Sequence, residues 1–200
     1  MSASARSARA SSACTRSTVS EVAASEYAGE QLRASVSVAG VGTANVVTGL
    51  PVLDHLLGLV AEYGSFDLAV EVAPTGAQAE VAAAATALGE ALATPLREPG
   101  VRGHGSAVVP ADEALAHVAL ERSDRPLVVS NVDLTDARVG GLGTDLVATF
   151  VNELASADGL TLHIRLIGGD ETQHVLETIF KGLGVALAQA CRSRNREENR

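Results

Sequence analysis

His174 and Glu177 stand three residues apart in a stretch of helical character, so both side chains project from one helix face. An imidazole and a carboxylate so placed can share a divalent ion, and zinc, manganese and iron all suit those ligand types. Taken alone, one such pair on a helix is more often simply solvated. His163 lies between Leu162 and Ile164 in a strand-like run, where an imidazole is either a hydrogen-bonded filler or a further ligand. Asp54-His55 opens another apolar-periodic stretch, and this aspartate suits either an N-cap or chemistry. Asp112 and Glu113 directly follow a strand-like segment, a place that fits a general base or a turn. In Ser123-Asp124-Arg125-Pro126 the arginine fork of Arg125 can hold a phosphate or face water. His104 and His117 have no partner at ligand spacing and read as structural.

The segment carrying His174 is written twice. Gln78-Ala79-Glu80-Val81-Ala82 overlies Gln173-His174-Val175-Leu176-Glu177, and Ala87-Leu88-Gly89 overlies Gly182-Leu183-Gly184 at the same offset. Upstream, Phe66-Asp67-Leu68-Ala69-Val70-Glu71-Val72 matches Leu160-Thr161-Leu162-His163-Ile164-Arg165-Leu166 with a one-residue gap. One copy carries imidazole and carboxylate, and the other carries neither at the matched positions.

The elements that must position these residues follow from apolar spacing. Leu32, Ala34, Val36 and Val38 alternate with polar residues and predict a half-buried strand. Val46 and Val47 continue a second strand after the Gly40-Val41-Gly42-Thr43 turn. Leu53, Leu56, Leu57 and Val60 predict a helix over 53–63, with Asp54 as a natural cap and Gly64 ending it. A strand over 66–72, a Pro74-Thr75-Gly76 loop and an alanine-rich helix over 77–93, stopped before Pro95, complete the first half. The second half repeats the order: strands near 105–109, 116–122 and 126–133, a helix over 144–157, a strand over 160–167 and a last helix over 172–192. Each half is expected to be a few antiparallel strands covered by two helices, which makes the chain α+β, a tandem duplication of a small sheet-plus-two-helices unit. The division places a solvated tail or transit segment at 1–20, the halves at 21–98 and 99–192, and a charged tail at 193–200.

Composition narrows the partners. Two hundred residues, 46% of them hydrophobic, can bury a real core, but aromatics are only 2% and Trp is absent, so Ala, Val and Leu must fill it. A net charge of −9 argues against nucleic acid as partner, because phosphate backbones need a basic field. No apolar run approaches the roughly 18 residues that span a bilayer. Cys14 and Cys191 lie near opposite ends without metal spacing, which suits a reducing, cytoplasmic setting. The first 20 residues contain no Asp or Glu and carry Arg6, Arg9 and Arg16, a composition shared by solvated tails and by organelle import segments.

Taken in order, Pro51-Val52-Leu53-Asp54-His55-Leu56-Leu57, Val109-Pro110-Ala111-Asp112-Glu113-Ala114-Leu115, Ser123-Asp124-Arg125-Pro126, Leu162-His163-Ile164-Arg165 and Gln173-His174-Val175-Leu176-Glu177-Thr178-Ile179-Phe180-Lys181 resemble imidazoleglycerol-phosphate dehydratase, an enzyme of histidine biosynthesis. The resemblance runs from about Gln31 to Ala190. It implies two similar α+β halves of the ribosomal protein S5 domain 2-like kind. It implies an assembly of trimeric units, up to about 24 subunits, with sites between chains. It also implies a pair of manganese ions per site that stabilise the substrate's imidazole as an anion, a Lewis-acid role. Carried over by position, the metal ligands are His55, His163, His174 and Glu177, while Gln78, Ala79, Ala82 and Gln173 stand where the family has imidazole or carboxylate. Asp112 takes a catalytic place. The family's first-strand acid falls on Gly29, with Glu30 one place on as its stand-in. The phosphate-contacting arginine falls on Gly103, leaving Arg102, Arg125 and Lys181 as phosphate contacts. The resemblance thus leads to a dehydratase with a depleted centre. The alternatives are a non-catalytic subunit that joins an intact paralogue, or a binding protein for a small phosphorylated imidazole.

Overall fold

In the computed structural model, residues 23–25, 32–133 and 137–194 are described; the two tails, 1–20 and 195–200, and Glu30 lie outside them. The first half runs β1 (Ala23–Ser25), β2 (Leu32–Ser37), β3 (Ala44–Val47), α1 (Pro51–Gly64), β4 (Asp67–Val72) and α2 (Ala77–Arg97). The second runs β5 (His104–Ala111), β6 (Ala114–Arg122), β7 (Leu127–Ser130), a two-residue pairing of β8 (Arg138–Val139) with β9 (Leu142–Gly143), α3 (Thr144–Asp158), β10 (Leu160–Gly168) and α4 (Thr172–Ala190). Among the described residues the main sheets have the orders β1-β2-β4-β3 and β5-β6-β10-β7, the same topology twice.

The sheets are mixed rather than antiparallel as expected. β3 runs parallel to β4 and β7 parallel to β10, while the other pairs are antiparallel. The cause is the intervening helix: α1 and α3 carry the chain back across the sheet, so the following strand starts from the same end as the one before.

Alternation in β10 buries Leu160, Leu162 and Ile164 toward the helices and turns His163 and Arg165 outward to solvent. The same pattern buries Leu68, Val70 and Val72 of β4. Helices pack across the halves, α1 against α4 and α2 against α3. Both crossings rest on glycine. A Cβ on Gly184 would meet the Val60 carbonyl oxygen at 2.6 Å, and one on Gly89 would meet the Ala157 Cβ at 2.6 Å. These glycines are matched positions of the repeat. Phe150 and Phe180 stack at 5.6 Å between ring centres and give the alanine-rich core one of its few aromatic contacts.

Three helix ends differ from expectation. α1 begins at Pro51, whose missing N–H costs nothing at the first helical position, and Leu50 is the cap residue. Asp54 instead lies within the first turn and accepts bonds from the Thr48 N–H (2.9 Å) and hydroxyl (2.6 Å), pinning β3 to α1. α1 ends through Ser65 in the left-handed region, not Gly64, because Gly64 lies inside the helix against the Phe66 ring and Gly184. α2 passes through Pro95 to Arg97; Pro95 and Leu96 are both buried, and that burial outweighs one lost bond in the last turn.

Candidate active site

The first turn of α4 meets the first turn of α1. Glu177 Oε1 lies 3.3 Å from His55 Nε2 and accepts a 3.0 Å bond from the Gln173 amide. Its other oxygen is 3.9 Å from Lys181 Nζ, and that ammonium sits 5.5 Å from the centre of the Tyr63 ring. His55 and Tyr63 are eight residues apart on α1, so one helix supplies both walls of this corner. Burial works to raise the Glu177 pKa, but the bonds from Gln173 and His55 prevail and the net shift is downward. The carboxylate is therefore held ionised in a partly buried place.

His174, one turn away, faces the tip of the β5–β6 hairpin. Its Nδ1 lies 2.5 Å from Glu113 Oε2 and its Nε2 3.5 Å from Asp112 Oδ2. The Glu113 hydrogen bond raises the His174 pKa, and the same bond lowers that of Glu113. Glu113 also accepts the backbone N–H of Glu171 (3.1 Å), which holds the start of α4 against the hairpin. Asp112, in the left-handed region at φ 48°, makes the turn. The Thr178 hydroxyl donates to the Val109 carbonyl, a buried bond that locks α4 onto β5 just below the site.

Other expected site residues stand elsewhere. His163 points from the outer face of β10, with the sheet between it and α4. Arg125 is exposed in the turn after β6, where its backbone is held by Ser123 and Thr161. Arg102 lies beside the far end of α4, its N–H bonded to the Arg192 carbonyl (2.8 Å). The matching first turn of α2 holds Gln78, Ala79 and Ala82, none of which offers an imidazole or carboxylate. There Glu80 is buried and accepts the N–H groups of Thr75 (2.9 Å) and Gly76 (3.0 Å), closing the turn on itself. Among the described residues no three His, Cys, Asp or Glu side chains gather as a metal site.

A sequence profile described as imidazoleglycerol-phosphate dehydratase matches residues 48–187. The imidazoleglycerol-phosphate dehydratase of Syntrophobacter fumaroxidans is 42% identical over 166 residues, covering 81% of this chain and 84% of that one. The chain belongs to the imidazoleglycerol-phosphate dehydratase family. The Acetivibrio thermocellus relative is 38% identical over 168 residues, covering 82% of this chain and 86% of its own length. The crystal structure of the Staphylococcus aureus enzyme superposes with a TM-score of 0.78 at 28% identity, covering 86% of this chain and 99% of that one. The Pyrococcus furiosus enzyme gives 0.73 at 29% identity, over 84% and 93%. The duplicated α+β unit expected from the sequence is thus the family's fold. No helix of the described residues is long and apolar enough to cross a membrane.

Sequence reasoning ranked Asp112 above Glu113, yet Glu113 makes the shorter contact with His174. It also passed over Tyr63. Its eight-residue spacing from His55 on a predicted helix was the available signal.

Proposed function

We propose that this chain is a histidine-biosynthesis dehydratase by descent whose own centre has lost half of its metal ligands. Alone, it converts imidazoleglycerol phosphate to imidazoleacetol phosphate slowly or not at all. The observation that carries this reading is the first turn of α2, where Gln78, Ala79 and Ala82 replace donors and Glu80 is committed to backbone N–H groups.

A pair of manganese ions does not fit the donors present. His55 and Glu177 remain in contact, His174 of the same helix turns to Asp112 and Glu113 instead, and His163 stands on the opposite face of its sheet. At most one ion is expected per chain. What the remaining residues can do is simpler. Glu113 keeps a proton on His174 Nδ1, and Asp112 at the hairpin tip is placed to accept one. Glu30, one place after the position of the family's acid, is the stand-in for that catalytic carboxylate. Lys181, Arg125 and Arg102 are the cations offered to the substrate's phosphate.

The outward direction of His163 favours a second reading alongside the first. A ligand on that face can join a helix-borne cluster only from another chain. Assembly with copies of itself, or with an intact paralogue whose α2 turn supplies the missing donors, would therefore complete sites that one chain cannot.

The test is turnover of imidazoleglycerol phosphate by the purified chain in excess manganese, alone and mixed with an intact family member. The expected result is a rate far below the roughly 1–10³ per second of ordinary enzymes. A rate inside that range for the chain alone would overturn the depleted-centre reading.

A further inference from the structure

The turns that lead into β3 and β7 enter matched strands of the two sheets, and one repeat position holds both of them. In the first half Asp67, which opens β4, accepts the N–H groups of Val41 (3.0 Å) and Thr43 (3.1 Å) through one carboxylate oxygen. The residue matched to Asp67 in β10 is Thr161. Its hydroxyl lies 2.7 Å from that of Ser123, and the two hydroxyls lie 3.2 and 3.1 Å from the Arg125 carbonyl. Whichever hydroxyl donates across the pair, the other is free to donate to that carbonyl. The Arg125 N–H in turn donates to Ser123 Oγ (3.3 Å), and the Ser123 N–H to the Gly159 carbonyl (3.1 Å).

We infer that Thr161 is a positioning residue, fixing this turn so that the Arg125 guanidinium is presented as an uncommitted cation beside the strand that carries His163. The inference rests on the assignment of Arg125 to the substrate's phosphate and adds what holds it there. The change of anchor between the copies has a chemical reason. The β3 turn offers Val41 to solvent, 88% exposed, and a carboxylate can hold it without consequence. A carboxylate in place of Thr161 would lie beside an arginine and neutralise it, and once ionised it would have no proton for the Arg125 carbonyl. A hydroxyl holds the backbone and leaves the charge.

The surroundings spare that charge as well. Asp124, next in sequence, accepts from Arg122 Nη2 at 3.2 Å. Among the described residues the Arg125 guanidinium has no hydrogen bond or ion pair of its own; every bond to Arg125 is to its backbone. The turn is also firmly seated. Asp124 adopts a left-handed φ of 55° and packs on Gly159, where a Cβ would come within 3.1 Å of the Asp124 Cα. Thr161 and His163 alternate with the buried Leu160, Leu162 and Ile164, about 7 Å apart along β10. One strand therefore sets both the turn and the imidazole.

The test reads the turn and the ligand separately on the full chain. Hydrogen exchange followed by mass spectrometry should be roughly fivefold faster over residues 122–127 in Thr161→Val, which keeps the shape and loses the hydroxyl. Thr161→Ser should restore the wild-type rate. Calorimetric titration with imidazoleglycerol phosphate should show roughly fivefold weaker binding in Thr161→Val, at least as large a loss in Arg125→Ala, and wild-type affinity in Thr161→Ser. In an Arg125→Ala background Thr161→Val should weaken binding no further, because the hydroxyl acts only through the arginine. Circular dichroism confirms that the variants fold. Unchanged exchange in Thr161→Val, or binding weakened in Arg125→Ala yet kept in Thr161→Val, overturns the positioning role alone. Wild-type binding that is absent, or indifferent to Arg125→Ala, overturns the phosphate assignment, and the inference falls with it.

Discussion

The first turns of α2 and α4 are the same piece of chain used in two ways. In α4, Val175 fills the core and the polar side chains reach outward: His174 to Asp112 and Glu113, Glu177 to His55, Gln173 and Lys181. In α2 the position matching Val175 is Glu80, which turns back onto Thr75 and Gly76, and its neighbours are alanine or amide. A turn whose charge faces outward can meet a ligand, and a turn whose charge satisfies its own backbone cannot. The fold tolerates either, because packing depends on the apolar and glycine positions further along each helix. Those are retained in both copies, as Gly89 and Gly184 show.

The strongest way to break the comparison is to convert one turn into the other. Gln78→His, Ala79→His, Ala82→Glu and Gln173→His together should roughly double the manganese bound per chain and raise turnover by about 10²-fold or more, since a missing electrostatic stabiliser commonly costs about 2.7–4 kcal/mol of barrier. Elemental analysis of the assembled protein reads the metal, and an unchanged metal content would sink the idea that α2 alone is the deficit.

The next largest effect concerns the shared packing. Gly184→Val should destabilise by about 3 kcal/mol, because the α1 backbone must retreat from a Cβ that would lie 2.6 Å from the Val60 oxygen. Denaturant titration measures it. Gly89→Val should follow suit at the α2–α3 crossing, and a large difference between the two would show that the crossings are not equivalent.

A third prediction separates the ends of the two helix pairs. Asp158, at the end of α3, is fully buried, its nearest cation is Arg97 at 3.9 Å, and neither oxygen has a hydrogen-bond partner among the described residues. Burial raises its pKa from 3.8 to about 6, with Arg97 and Arg122 pulling the other way. Between those values the folded chain holds a proton that the unfolded chain has released, so this contribution to stability is lost as pH rises from about 4 through 6. The loss should be about 2–3 kcal/mol by pH 7. Asp158→Asn should remove that slope. Equal wild-type-minus-variant stabilities at pH 4 and pH 7 would rule the account out.

The smallest effect tests the closed turn itself. Glu80→Ala leaves the Thr75 and Gly76 N–H groups without their acceptor and should cost about 1–2 kcal/mol in thermal or chemical denaturation. No change would mean that the turn is held by other bonds.

Much of this was legible in the residues. The repeat offset located both helices and both crossing glycines, and alternation in β10 was readable from Leu162, Ile164 and their neighbours. The direction of β3 and β7 was not, because strand direction depends on which sheet edge a crossover helix reaches, and both orders have the same periodicity. Pro95 misled for a related reason: propensity argued for a stop, and burial of Pro95 and Leu96 decided otherwise. In the site, spacing found His174 and Glu177 but gave each a partner within its own helix. The partners that matter, Glu113 and His55, are 61 and 122 residues away.

The sequence by itself determined which donors exist: residue type fixes whether a side chain has an atom to offer a metal or a phosphate, and no fold can supply one to Ala79 or Ala82. Only the tertiary structure decided which donors meet. Helix and strand faces repeat every few residues, whereas the pairing of His174 with a hairpin tip, the outward turn of His163 and the hold of Thr161 on the Arg125 turn depend on how sheets and helices pack over long chain separations.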